Sequence, residues 1–285
     1  MNSSDCLTKC AIEVVKYRKI NFDVKKQIAI KKMKDLFSSG SQLYQQARPS
    51  YPIQIIQEIL QHVPEPHFAW DCGAGSGQFT QLLAPYFDHV VATDLSETQL
   101  QHAPYFENVS YQVQAAEHTN FADHSFDLIC VAQAIHWFDF ENFYKEVRRT
   151  LKPDGIFAVI GYGLIHVEHE QINVLIQKLY GEKLKGYWDV ERKYIDEEYR
   201  TIPFPFNEVA VAEFKMQYQW TPSQLLKYLS TWSAIKHYQA QNEDEPLLEL
   251  AEYLKCDEQL LHIEFPIFLR IGKLPLLKKK CFMKK

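Results

Sequence analysis

Glycine is scarce in this chain, 10 of 285 residues, about half the roughly 7% of an average folded protein. Wherever glycines cluster, that backbone position is therefore informative. Long apolar runs are missing: no stretch approaches the roughly 18 to 20 uninterrupted apolar residues of a membrane span. The opening MNSSDCLTKCAIEVVKYRK scatters its charges through its one short apolar patch, so it has no secretion-signal core and a cytoplasmic location is expected. Cysteine is sparse too, six residues far apart (Cys6, Cys10, Cys72, Cys130, Cys256, Cys281), which excludes a disulfide framework and points to free thiols. Cys6 and Cys10 have the spacing of half a metal site, but no second Cys or His pair stands at a matching interval, so no metal is expected. Internal repeats and low-complexity stretches are also missing. With 46% hydrophobic and 24% charged residues, the composition is that of an ordinary protein of one or two domains, able to bury a core without staples.

Charge is unevenly placed. Residues 1–34 carry +6 and the last thirteen, KLPLLKKKCFMKK, carry +6, which leaves −17 on residues 35–272 of a chain whose net charge is −5. An acidic body repels a polyphosphate, so nucleic acid is not an expected partner. The basic ends read as solvated tails.

From residue 67 onward, short apolar runs alternate with amphipathic ones. HFAW, HVVATDL, VSYQVQAA, FDLICVAQA and GIFAVIGYG read as strands, being short, rich in β-branched and aromatic residues, and bounded by turn residues. Between them GQFTQLLAPYF, SETQLQHAPYF and NFYKEVRRTLK read as helices, the last stopped by Pro153-Asp154-Gly155. Five strands separated by helices imply a parallel α/β sheet whose ligand lies beyond the strand C-termini, where the strand order reverses.

Three of the ten glycines fall in Asp71-Cys72-Gly73-Ala74-Gly75-Ser76-Gly77, at the end of the first of these strands. Such a loop allows a tight turn and lets a ligand lie against bare backbone, although a plain strand-to-helix turn would use glycine as well. Asp94 ends the second strand, where a carboxylate in a doubly wound sheet accepts hydrogen bonds from a ribose diol. An adenosine compound is the implied ligand. The spacing GxGxG differs from the GxGxxG that cradles a dinucleotide pyrophosphate, which favours S-adenosylmethionine over NAD.

With these motifs the chain resembles the class I S-adenosylmethionine-dependent methyltransferases. DCGAGSG matches their glycine motif, Asp94 their ribose-binding acid, and AAEHTNFADHSFDLICVAQAIHWFD their third and fourth motifs, with Asp127 opening the fourth strand. Within that superfamily the likeness is to the trans-aconitate methyltransferase branch. It rests on FSSGSQLYQQARPSYP, QAIHWFD, YWDVERKYIDEEYRTIPFPF, TPSQLLKYLSTWSA and FPIFLRIGK.

The resemblance implies a Rossmann-like, doubly wound α/β fold with a seven-stranded, mostly parallel sheet. EVAVAEFKMQYQW and LLHIEFPIFLRIG would supply the last two strands, the second of them antiparallel at the edge. Residues 37–273 would form the methyltransferase domain, with aromatic-rich helical insertions at 164–207 and 221–257 over the cofactor mouth. Residues 1–36 would be an N-terminal extension, of which 1–32 are dispensable for catalysis, and 274–285 a basic tail. The cofactor would be held by Asp71, Gly73, Ala74, Gly75, Gly77, Asp94, Leu95, Ala116, Glu117 and Gln133. Tyr44 and Arg48 would lie over its methionine end, where a cation can pair with the carboxylate; Arg48 could equally cap or salt-bridge a helix.

The acceptor is less constrained. A carboxylate is ionised at neutral pH and needs no general base, whereas a hydroxyl or amine would use one. His136 is the residue placed to act as that base, with capping or substrate orientation as its other roles, and Trp137, Trp188 and Trp232 are the candidate substrate contacts. An acid would call for cations at the pocket, for which Arg48, Arg192 and Arg200 are available, while Arg148 and Arg149 are expected on an exposed helix face. No (Asp/Asn)-Pro-Pro-(Tyr/Phe) tetrapeptide follows the fourth strand, which lowers a nucleic-acid amine as target. The reading is methyl transfer to a small molecule, possible acceptors being a carboxylic acid or a hydroxyl, carbon or nitrogen of another metabolite. An NAD-linked oxidoreductase and a non-catalytic cofactor-binding protein are the competing classes.

Overall fold

The computed structural model describes residues 48–255 and 259–275. Five parallel strands, β1 (Phe68–Cys72), β2 (His89–Asp94), β3 (Val109–Val113), β4 (Phe126–Ala132) and β5 (Leu151–Tyr162), lie in the order β3-β2-β1-β4-β5. The order reverses between β1 and β4, so a crevice opens beyond their C-terminal ends. These two central strands read FAWDC and FDLICVA without alternation because both of their faces are covered. On one face Leu128, Cys130, Ile156, Ala158 and Ile160 pack under helices α1 (Ile53–Leu60) and α2 (Thr80–Leu83). On the other, Ile129, Val131, Phe157 and Val159 pack with α4 (Phe140–Thr150), while the one-turn α3 (Glu97–Leu100) follows β2.

Beyond β5 the sheet turns antiparallel. The thirteen-residue β9 (Leu261–Lys273) pairs on one side with β5 and, further along, with the short β6 (His166–Val167); on the other it carries β8 (Phe214–Trp220) and the short β7 (Asn207–Val209). The antiparallel strand thus lies one place in from the edge, in a sheet of nine strands. A strand as long as β9 has room for two partners along each side, and β6 and β7 are too short to recognise as separate apolar runs.

The helices expected after the first two strands shrink to four residues each, Thr80–Leu83 and Glu97–Leu100. Pro85 and Pro104 stand shortly after them, and a proline has no N–H with which to extend the helical hydrogen-bond ladder. Helix α4 ends at Thr150 without help from Pro153-Asp154-Gly155, which sit inside β5. Phe126 pairs with Leu151 but Leu128 pairs with Ile156, so the Pro-Asp-Gly stretch is a bulge in the strand.

Residues 164–207 and 221–257 are helical in large part, with α5 (Glu170–Lys178), α6 (Arg192–Asp196), α7 (Pro222–Leu229), α8 (Ser233–Gln239) and α9 (Leu248–Leu254). They divide between the faces. Ile172, Ile176, Leu225, Leu229, Ile235 and Leu250 join the first core, whereas Ile195, Tyr199, Ile202 and Phe206 join the second. No helix among the described residues is long and apolar enough to cross a membrane.

Candidate functional site

The glycine loop leaves β1 in a conformation that only glycine adopts cheaply. Gly73, Gly75 and Gly77 have φ of +74°, +55° and +76°. The amides of Gly73 and Ala74 both donate to the carbonyl of Thr93, at 2.8 and 2.9 Å, which ties the loop to the end of β2. A Cβ at Gly73 would stand 2.6 Å from the Cβ of Ala134 and 3.2 Å from the Phe138 ring, so the loop is seated directly on the turn after β4. At Gly75 the nearest atom to such a Cβ among the described residues is Gln99 Oε1 at 3.9 Å, an ordinary contact that leaves a ligand room to approach the backbone.

Asp94 joins that loop to the second strand. Its Oδ2 accepts from the Gly75 amide at 2.9 Å and its Oδ1 from the Ser96 amide at 2.8 Å, with Leu95 contributing a further backbone donor. A carboxylate has about four lone-pair sites, so acceptor capacity remains on a half-buried group at the crevice. Burial raises its pKa and these backbone donors oppose the rise. Asp71 is different. It is wholly buried, accepts a 2.6 Å hydrogen bond from Thr80 Oγ1, and is pushed by desolvation up to about 7. Its carboxylate holds the start of α2 behind the loop and does not line the crevice.

Glu117 and Gln133 act on backbone. Glu117 Oε1 accepts from the Asp139 amide at 3.0 Å, beside the buried Ala116, and Asp139 in turn caps α4. Gln133 stands at φ +56°, a strained position for a residue with a side chain, costing about 1 to 3 kcal/mol. Its amide group compensates by bonding both ends of Tyr162: Oε1 accepts from the Tyr162 amide at 2.8 Å and Nε2 donates to the Tyr162 carbonyl at 3.3 Å. The Tyr162 hydroxyl accepts from Arg48 Nη1 at 2.6 Å. Arg48 is therefore fastened to the C-terminal end of β5; Tyr44 lies outside the described residues, as do residues 1–32 and the basic tail from 276.

His136 sits in the 3-10 turn Ile135–Trp137, between the two residues that meet Gly73. It is buried, its Nδ1 is 2.9 Å from the Tyr199 hydroxyl, and its ring is 5.1 Å from that of Trp137. Burial first, and then the charges of Arg192 and Arg48, lower its pKa to about 3. The ring is neutral throughout the physiological range and is a weak base, which removes the main reason for assigning it proton abstraction.

Arg192 opens α6, which packs against the turn bearing His136. Its Nε donates to the Tyr180 hydroxyl at 2.9 Å and to Asp196 at 3.2 Å, while its guanidinium lies 5.0 Å from the Trp188 ring and 5.3 Å from that of Tyr180. Trp188 is thus the floor under a cation. Trp232, 5.4 Å from Trp188, is buried in the first core. Arg200 is exposed and paired with Glu198, so it contributes nothing to this cluster. Arg149 is half-buried, not exposed: it bonds Glu146 at 2.6 Å, Asp123 at 2.9 Å and the Phe121 carbonyl, bracing the loop before β4. Asp127 lies at the opposite end of the sheet, bonded to the Phe68 amide and Lys152.

Motif reading assigns Tyr162 no role and Tyr199 only a place among the aromatics of the 164–207 insertion. Tyr162 carries no pattern beyond its place at a strand end. Tyr199 reaches His136 only because the chain folds back 63 residues later.

A family model described as a methyltransferase domain matches residues 70–159, from within β1 to within β5. A methyltransferase-named protein of Dictyostelium discoideum is 34% identical over 252 residues, spanning 85% of this chain and 96% of that protein. A Saccharomyces cerevisiae protein named as an S-adenosylmethionine-dependent methyltransferase is 25% identical over 258 residues, spanning 75% of this chain and 88% of its own length. A solved structure described as a type II methyltransferase, from Anaeromyxobacter dehalogenans, aligns with a TM-score of 0.73 at 36% identity, covering 80% of this chain and 99% of that one. The names of these three relatives specify no acceptor.

Proposed function

We propose that this chain, which belongs to the class I S-adenosylmethionine-dependent methyltransferase family, binds S-adenosylmethionine between the Gly73–Gly77 loop and Asp94 and methylates a carboxylate of a small organic acid. The residues fit that cofactor. Asp94 keeps lone pairs for a ribose diol after accepting from Gly75 and Ser96, and the bare backbone at Gly75 lets a ligand approach closely. When bound, the cofactor supplies a methyl group on a sulfonium sulfur, open to in-line attack by a nucleophilic oxygen. Loop, Asp94 and the turn at Ala134 would hold the cofactor in place for the acceptor, and such positioning is worth up to about 7 to 11 kcal/mol in favourable cases.

The observation that carries the acid reading is a pair of cations at the His136 turn in a chain whose body is acidic. Arg48 and Arg192 both act electrostatically on His136, Tyr199 and Tyr228, all of them buried, so both guanidinium groups lie near this group of side chains. Arg192 commits its Nε to Tyr180 and Asp196, and its Nη1/Nη2 fork has the shape to grip a carboxylate. An ionised acceptor has no proton to lose, so a weakly basic His136 is no handicap. The likeness of residues 37–52 and 133–139 to the trans-aconitate methyltransferase branch supports the same acceptor class.

Arg192→Met tests this. The variant keeps the stem that packs on Trp188 and removes the charge, so KM for an acid acceptor should rise by about 10- to 100-fold, the worth of a charge-assisted hydrogen bond, with affinity for S-adenosylhomocysteine unchanged. An unaltered KM would place the acceptor elsewhere.

A further inference from the structure

Tyr199 is built into this protein at a conformational cost. Glu198 and Tyr199 stand in succession in the left-handed region, at φ +54° and +59°, a cost of about 1 to 3 kcal/mol for each non-glycine residue. Three features hold the tyrosine there. Its amide donates to the Tyr194 carbonyl at 2.7 Å. Its carbonyl accepts from Arg270 Nη1 at 2.9 Å, and Arg270 is itself clamped by both oxygens of Glu208, at 2.7 and 2.9 Å. Finally, its ring occupies the place that a side chain at Gly161 would take, since a Cβ there would be 2.5 Å from Tyr199 Cε2. Strand β5 thus leaves room for this ring, and the phenol reaches His136 with no exposed surface of its own.

The hydrogen bond between them has a direction. Burial raises the pKa of Tyr199 and lowers that of His136, so both are neutral. If His136 Nδ1–H donated to the phenol oxygen, the phenol hydrogen would be buried with no acceptor among the described residues. An unsatisfied buried donor costs about 1 to 3 kcal/mol. If the phenol donates to Nδ1, every buried donor of the pair is satisfied and the imidazole proton sits on Nε2. No hydrogen bond from a described residue engages that nitrogen, which stands in the turn that meets the glycine loop.

We propose that Tyr199 is a positioning residue that holds His136 in the Nε2–H tautomer, so that the imidazole donates a hydrogen bond to the spectator oxygen of the acceptor carboxylate instead of abstracting a proton. The target of that donor rests on the acid reading above; the tautomer does not. Arg192 and Arg48 hold the charge of the acceptor, and the Nε2–H selects which of its oxygens is left to attack.

Nitrogen-15 NMR of histidine-labelled enzyme, with and without S-adenosylhomocysteine, reads the tautomer without turnover, and kinetics of three variants read its use. The wild type should show a pyridine-like Nδ1 and a pyrrole-like Nε2 for His136. Tyr199→Phe should give mixed tautomers and raise KM for the acid about five- to tenfold, the worth of one neutral hydrogen bond, with kcat and cofactor affinity little changed. His136→Gln, which keeps an N–H donor near the Nε2 position but cannot serve as a base, should stay within about fivefold of wild-type kcat/KM, whereas His136→Ala should lose about tenfold or more. An Nδ1–H tautomer in the wild type overturns the proposal whatever the acceptor, as does a His136→Gln enzyme no better than His136→Ala. An Nε2–H wild type that methylates alcohols or amines and no acid refutes the acid reading and the donor's target, leaving the tautomer assignment standing.

Discussion

Gly73→Ala should lower the affinity for S-adenosylhomocysteine by about 100-fold or more and destabilise the fold as well. Two separate penalties meet at this position. A residue with a Cβ at φ +74° costs about 1 to 2 kcal/mol, and the added carbon would stand 2.6 Å from the Ala134 Cβ, a buttress on the turn carrying His136. Overpacking of that kind costs about 1 to 3 kcal/mol. The loop can escape only by moving off the turn, and binding must then restore it, so the same free energy appears as lost affinity at about tenfold per 1.4 kcal/mol. Gly75→Ala separates strain from ligand contact. Among the described residues its Cβ would meet nothing nearer than 3.9 Å, so stability should change only by the backbone term while binding still falls, because the carbon would project into the proposed cofactor crevice. Urea melts and calorimetric titration of the two variants give both quantities. Unchanged S-adenosylhomocysteine affinity in Gly73→Ala would mean that the loop is not the cofactor cradle.

Asp94→Ala should be as severe for binding and milder for stability. The carboxylate has two jobs on opposite sides. Toward the protein it satisfies the amides of Gly75 and Ser96, at 2.9 and 2.8 Å, and toward the crevice it has acceptor capacity for a diol. Alanine removes both, and hydrogen bonds to a charged group are worth about 1.5 to 3 kcal/mol each, so a loss of about 100-fold or more in S-adenosylhomocysteine affinity is expected. Asp94→Asn should recover little, because one of its two positions becomes an N–H donor that faces the donor of Gly75 or Ser96. An Asp94→Ala protein that binds S-adenosylhomocysteine normally would place the ribose contact on another residue.

The parts of this molecule that were legible from the chain are those specified locally. Strands β1 and β4 announce themselves as unbroken apolar runs because a parallel sheet buries both faces, and three glycines in a glycine-poor chain mark a turn with three positive φ values in five residues. Asp94 is readable because strand length fixes its distance from that turn. Tyr162 and Tyr199 are not readable in this way. Their neighbours come from across the fold: Tyr162 takes a bond from Arg48, 114 residues earlier, and Tyr199 meets His136 across 63 residues. Asp71 looked like a ligand contact because it stands beside the glycines, yet strand alternation turns it inward onto Thr80. His136 looked like a base because free imidazole titrates near neutrality; burial beside two guanidinium groups removes that property. Arg149 and Arg200 exchanged expectations for the same reason, since an arginine's exposure depends on which carboxylates the fold brings to it: Glu146 and Asp123 draw the first inward, and Glu198 holds the second at the surface.

The most direct measurement is transfer of labelled methyl from S-adenosylmethionine into a pool of small organic acids and cell extract, scored by the label made volatile with mild base. Transfer to a carboxylate predicts an acid-soluble product whose label is released by base as methanol, saturable in the acid and suppressed by S-adenosylhomocysteine. Base-stable label on a hydroxyl, nitrogen or carbon would contradict the acid acceptor and return His136 to consideration as a base, and no transfer to any acceptor would contradict catalysis itself.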